Sequence, residues 1–413
     1  MSAAAMDTGG LKFDWVVVRE ARAPRAASSG SGTIQIAAAS THRPLVVSKQ
    51  AMTSEEALEE KRSEDVRAIA LEMPVVLIQA ANLDGRPVGP GDEMIAWGVA
   101  DSGATTSPWN GTGVSVAVLD SGIDRNHAAF AHVSIVPKNF TIKTDDDTDQ
   151  AKDVTDDIGH GTHCAGTIFG GDVDGRRIGV AKGVKRALIG KIVGKDGVAS
   201  TDTIVRALAW AQSERADVIS MSIGIDFIQF RETLKTKFAL DDRRATGLAL
   251  DAYLANMRLF DTLSRGTLGA PPFSPGCIVA CAAGNESAGS DYRLSAMPPA
   301  RAEHFLSVAA LDRPIEGRRR LAPFSNIGTK LAAPGVDVIS AWPGGGLRVL
   351  DGTSMATPHV AGIACLWIEK HRKQGLQADA ASIAAQLRKF AKPLVPDIRS
   401  DEVEWGGARA PVD

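Results

Sequence analysis

The sequence predicts an α/β protein, a mostly parallel sheet with helices on both faces, preceded by a small N-terminal α+β region. Three observations carry this. The runs "VSVAVLD" (114–120), "RALIGKIVG" (186–194), "ADVISMSIG" (216–224) and "CIVACAAGN" (277–285) are apolar nearly throughout. Strands of that kind are covered on both faces, as in a parallel sheet. Helical patterns such as "TDTIVRALAWAQSE" (201–214) separate them, as crossover connections require. Near residue 95 the pattern changes from scattered short runs to this regular alternation, which divides the chain into regions 1–95 and 96–413.

In the first region, "WVVV" (15–18), "TIQIAAA" (33–39), "PLVV" (44–47) and "PVVLIQ" (74–79) are strand candidates. They surround one charged helix, expected from Ser54 to about Leu71, with Glu55 and Glu56 suited to its first turn. "LDGRPVGPGDE" (83–93) has loop chemistry and reads as a linker. In the second region the first strand ends at Asp120, and "GTHCAGTIFG" (161–170) begins a helix. "GLALDAYLANMRLFDTLSR" (247–265) is a further helix, and "FLSVAAL" (305–311) and "KLAAPG" (330–335) are strands. The last is a buried helix, "HVAGIACLWIEKH" (359–371), with Ser354 near its start. Pro358 then falls in the first turn, where backbone N–H groups lack intrahelical partners.

With 413 residues, 44% of them hydrophobic, the chain can build a large core. A net charge of −3, with no basic run longer than "GRRR" (317–320), argues against nucleic acid as a partner. The N-terminus lacks the charged-then-apolar pattern of a secretory leader, and no apolar stretch is long enough to span a membrane. Cys277 and Cys281 flank a strand-like run that would separate their Cα atoms by roughly 13 Å, too far for a disulfide. All four cysteines are therefore expected reduced, which fits a cytoplasmic protein. The acidic run 144–157 lacks the pattern of a calcium loop and reads as solvated. "HGTH" places His160 and His163 three apart with no glutamate between them and no third ligand nearby, which argues against zinc.

In a parallel sheet, reactive groups gather at the carboxyl ends of the strands. Asp120 ends a strand, His160 opens a helix between glycines, and Ser354 opens another. Each alone has a plain reading: Asp120 or Ser354 as a cap, His160 as a surface histidine. Together they supply a nucleophile, its base and an orienting carboxylate. "VAVLDSGID" (116–124), "GHGTHCAG" (159–166), "AAGNES" (282–287) and "GTSMATPHVAG" (352–362), in that order, resemble the subtilisin family of serine endopeptidases, over roughly Trp97 to Val412.

The resemblance implies a subtilisin-like fold and hydrolysis of peptide bonds, with protein or peptide substrates and no cofactor for the chemistry. It implies Ser354 as nucleophile, His160 as base and then acid, Asp120 as the group orienting His160, and Asn285 as a donor to the oxyanion. Substrate would lie extended between Gly197–Val198–Ala199 and Ser222–Ile223–Gly224, with Ala283 and Gly284 walling the primary pocket. Met297 falls near that pocket's floor and would favour smaller side chains. Asp156 and Asp157 would favour a basic group beside the cut bond; for these last two readings a plain structural role is the alternative. Cys164 matches a free cysteine of the proteinase K type beneath the catalytic histidine. The family often binds structural calcium through an aspartate where Ala129 stands, and the loop "GGDVDGRRIG" (170–179) differs from the usual one. Asp172 and Asp174 leave calcium open. Residues 225–276 are longer than usual and rich in charge, and residues 1–95 suit a prodomain or a permanent extension. Without a leader, intracellular targets are expected. The competing class is a non-catalytic peptide-binding module that keeps the cleft.

Overall fold

The computed structural model describes residues 10–20, 45–82, 85–142, 148–267, 276–394 and 396–412. At its centre lies a sheet of eight strands in the order Val403–Gly407, Thr329–Pro334, Leu306–Leu311, Ile278–Ala282, Val218–Met221, Ser115–Asp120, Arg186–Lys191, Ser134–Asn139. Every neighbouring pair in it is parallel. Alternate side chains of one strand serve two cores. Val116 and Val118 pack with the His160 and Ser354 helices, whereas Ala117 and Leu119 pack beneath the helices Thr201–Ser213 and Asp242–Thr267. That double burial is why the strands read as unbroken apolar runs.

The N-terminal region differs from expectation in its helix and in the stretch read as a linker, where Arg86–Pro87 pairs with Arg348–Val349 as a strand. Its helix is short, Ser54–Glu60, and starts at a Thr53 cap. Thr53 Oγ1 accepts from the Glu56 N–H at 3.2 Å, and the Glu56 carboxylate accepts from the Thr53 N–H at 2.8 Å, a reciprocal capping box. The polar "KRSED" then ends the helix, and Val66–Leu71 is a strand. It pairs antiparallel with Phe13–Glu20, which also pairs with Leu45–Met52. The run "TIQIAAA" lies outside the described residues. "PVVLIQ" does form a strand, Pro74–Leu77, but in another sheet.

The charged segment 225–276 contains two helices, Phe227–Lys237 and Asp242–Thr267. The second lies against the N-terminal sheet, where buried Asn256 donates from Nδ2 to the Leu71 carbonyl at 2.8 Å. Its apolar face therefore covers the N-terminal sheet as well as the main core. The four cysteines are buried and unpaired. Among the described residues no helix is long and apolar enough to cross a membrane.

His163 and His359 lie fully inside, where burial lowers their pKa values from 6.5 to about 3 and about 4. An unfolded chain binds a proton at each near pH 6.5, while the folded chain does not until the lower values. The unfolded state thus holds more protons in that window, and stability falls as pH drops from 6.5 toward 4. Calorimetric unfolding across that range should show the midpoint falling steadily, and a flat midpoint would refute the assignment.

Candidate active site

Asp120, His160 and Ser354 come from a strand end and two helix starts, and all three are buried. His160 Nδ1 lies 2.8 Å from Asp120 Oδ1, which also accepts the Ser121 N–H at 2.7 Å. Gly161 is required beside them: a Cβ there would stand 2.2 Å from the Gly122 carbonyl oxygen and 3.2 Å from the Asp120 Cβ. Burial opposes a charge on His160, but the Asp120 carboxylate, helped by Cys164, outweighs it and raises the pKa well above 6.5. Its Nε2 is buried without a hydrogen-bond partner among the described groups.

Asp156 starts the His160 helix. One of its oxygens accepts from Ser121 Oγ and from the Ile158 and Gly159 N–H groups; the other accepts from the Thr162 N–H and hydroxyl, at 2.6–3.1 Å. It does for the helix what Gly159, with no side chain, cannot. Asp157 is paired with Lys191 at 2.6 Å. Both carboxylates are engaged within the protein, which favours the plain structural role over selection of a basic substrate group. His163 has Nε2 within 3.0 and 3.2 Å of the Val338 and Arg348 carbonyls, a structural engagement.

The Ser354 helix runs Thr353–Lys373, so Pro358 lies beyond its first turn. Proline leaves the carbonyl four residues earlier, that of Ser354, without its helical donor. The Cys164 thiol takes that place, with Sγ 3.4 Å from the Ser354 carbonyl oxygen, and also lies 3.7 Å from His160 Nδ1. Cys164 thereby touches both helices at the site.

Asn285 is oriented by a residue the sequence reading missed. The Thr353 N–H and hydroxyl both donate to Asn285 Oδ1 at 2.9 Å, which leaves the amide nitrogen facing the cleft. There it donates to the Gln79 carbonyl at 2.7 Å, while Ser354 Oγ donates to the Ile78 carbonyl at 2.6 Å. The strand Pro74–Leu77 lies between Val198–Ser200 and Ile223–Ile225, antiparallel to both. Leu77 donates to the Gly197 carbonyl at 3.0 Å and Ile78 to that of Ser222 at 2.9 Å. Gly197, Val198, Ala199, Ser222, Ile223 and Gly224 therefore all flank the chain's own segment. At Gly224 itself, an added Cβ would come 2.4 Å from Met297 Cε and 3.6 Å from Ile78 Cγ1, so both side chains share that space. Ala283 accepts the Met297 N–H at 2.9 Å, and a Cβ on Gly284 would lie 3.1 Å from Met297 Cε.

Residues 111–406 match the model of the subtilase family. The intracellular serine protease of Paenibacillus polymyxa is 33% identical over 295 residues, 69% of this chain and 77% of its own length. The major intracellular serine protease of Bacillus subtilis is 30% identical over 69% of this chain and 77% of its own length, and subtilisin NAT of the natto subspecies is 32% identical over 64% and 57%. The chain belongs to the subtilase family. It is a subtilisin-like serine endopeptidase, and subtilases need no cofactor for the reaction.

Two results should follow from this subtilase's own geometry. Because the Met297 methyl fills the space beside Gly224, Met297→Ala should raise kcat/KM for peptides with phenylalanine before the cut bond, relative to valine, by about tenfold or more. An unchanged ratio in paired peptide assays would remove Met297 from the pocket. Mercurials should inhibit through Cys164, which sits against His160, and Cys164→Ala should resist. Equal inhibition of the substituted enzyme would implicate another thiol.

Proposed function

We propose that Ser354 is the nucleophile, that His160 takes its proton at Nε2 and later gives it to the leaving amine, and that Asp120 holds the imidazole in orientation. Asn285 and the Ser354 N–H would bind the oxyanion. We also infer that residues 1–95 are an inhibitory unit and that the targets are protein or peptide chains inside the cell, as the names of the two bacterial relatives suggest. A structural calcium ion is not favoured, since Ala129 supplies no carboxylate and Asp172 is paired with Lys182 at 3.2 Å.

One observation carries the reading: Pro74–Leu77 lies as a third strand in the cleft, with Ile78 at the Ser354 hydroxyl. Extended binding between two strands is how such a cleft holds a peptide. Yet the contacts are one residue out of step. Backbone pairing brings Ile78 to Ser354, whereas the carbonyl before Asn285 belongs to Gln79. Ser354 also directs its proton to the oxygen of Ile78 instead of to His160. A hydroxyl aimed at a carbonyl oxygen is not aimed at its carbon, which accounts for inhibition by an uncut segment.

Intact mass after equal incubation tests this. Wild-type chain should shorten within about residues 75–96, near Ile78–Gln79, while Ser354→Ala stays at full length. Asn285→Ala should process more slowly, by about 10²–10³, a figure measured on subtilisin itself and carried over here. A fully active wild type that remains at full length would end the inhibitory reading. Failure of a fluorophosphonate probe to label the processed wild type would favour the non-catalytic module.

A further inference from the structure

Three backbone carbonyls of one short segment converge on a single positive charge. Arg176 donates from Nη1 to the carbonyl oxygens of Asp92 and Glu93 and from Nη2 to that of Gly89, the last at 3.0 Å. Main-chain oxygens gathered in this way are donors that suit a hard cation. Here a guanidinium fills the place. The loop that delivers it is a tight hairpin: Val173 and Arg176 exchange backbone hydrogen bonds of 2.9 and 2.8 Å around Asp174 and Gly175, whose φ values are 49° and 77°. Two positive φ values in succession define the turn that Asp-Gly favours, so the sequence fixes where Arg176 points. Arg177 extends the contact, donating its N–H to the Met94 carbonyl and accepting from the Ala96 N–H, each at 2.9 Å.

This is the loop at which the family often holds calcium, and the donors do not fit that ion. The Ala129 carbonyl already accepts the Gly171 N–H at 2.8 Å, Asp172 is paired with Lys182, and a guanidinium among the carbonyls repels a dication. We propose that Arg176 acts as a built-in cation that replaces a metal at this loop and fastens residues 89–93 to the catalytic domain. Other contacts brace the same segment. Arg86 grips Asp92 through two bonds of 2.8 and 2.7 Å, and Arg313 grips Glu93 at 2.8 Å. The strand pairing of Arg86–Pro87 with Arg348–Val349 adds to them. It follows, resting on the inhibitory reading above, that a cut near Ile78–Gln79 leaves the chain from Arg86 onward attached, and that this attachment needs no metal.

The test uses full-length Ser354→Ala, which does not process itself, so its outcome is independent of whether the peptidase and inhibitory readings hold. Its calorimetric midpoint should not move with EDTA or with millimolar calcium chloride. Adding Arg176→Met should lower the midpoint by several degrees and speed hydrogen exchange in residues 86–97, with exchange in the helix Thr353–Lys373 unchanged. Arg176→Lys, which keeps the charge but not the fork, should restore part of that protection. The proposal is overturned if EDTA lowers or calcium raises the midpoint of the Arg176-containing chain. It is equally overturned if Arg176→Met leaves exchange at 86–97 unaltered. If Arg176→Met does not fold, the chelator and calcium scans together with Arg176→Lys decide.

Discussion

The site depends on the close packing of two helices, His160–Phe169 and Thr353–Lys373. Glycines seat each helix tightly against its surroundings: a Cβ on Gly362 would stand 2.7 Å from the Val180 Cβ, and one on Gly166 would strike Ser340 Oγ at 2.4 Å. The thiol of Cys164 bridges the pair at the carbonyl that Pro358 leaves without a donor. Separate the helices and Cys164 no longer joins His160 to the Ser354 carbonyl, whatever the sheet does. The sheet's share is to present Asp120 at a strand end, in hydrogen-bond reach of the imidazole.

The same logic of incomplete pairing explains the cleft. Val198–Ser200 and Ile223–Ile225 turn their edges toward the cleft, and a strand edge left unpaired would recruit another strand. In this chain the recruit is Pro74–Leu77, tethered to the same polypeptide and therefore present at high effective concentration. The helix Asp242–Thr267, packed on the N-terminal sheet and bonded to Leu71 through Asn256, holds one end of that strand. The Arg176 and Arg313 contacts fasten the chain further on, at residues 89–93. A segment restrained in this way must shift by one residue before its carbonyls come into step with Asn285 and Ser354, which slows the cut without forbidding it.

Much was legible in the sequence because it is written locally. Unbroken apolar runs require burial on both faces, so the parallel sheet could be read from Val116 to Ala282 without coordinates. The glycine-flanked His160, the strand-end Asp120 and the corner at Ser354 sit in short motifs whose residue types fix their own backbone. The strand nature of 66–71 was obscured because a charged helix and a strand adjoin without a glycine or proline between them. Edge strands such as Ser134–Asn139 and Val403–Gly407 carry exposed positions and so lack the continuous apolar signal.

The sequence by itself determined the architecture and the triad of residue types, since each rests on local pattern or on motif order. Only the tertiary structure decided which groups those residues meet. That Asp156 serves a helix start, that Cys164 supplies the donor proline removes from a helix, and that Thr353 turns the Asn285 amide are contacts between distant or differently oriented atoms. The occupant of the cleft was decided in the same way. "PVVLIQ" marks a strand, but a strand's partner is chosen by open edges and by the anchors on either side, and neither is encoded in the six residues themselves.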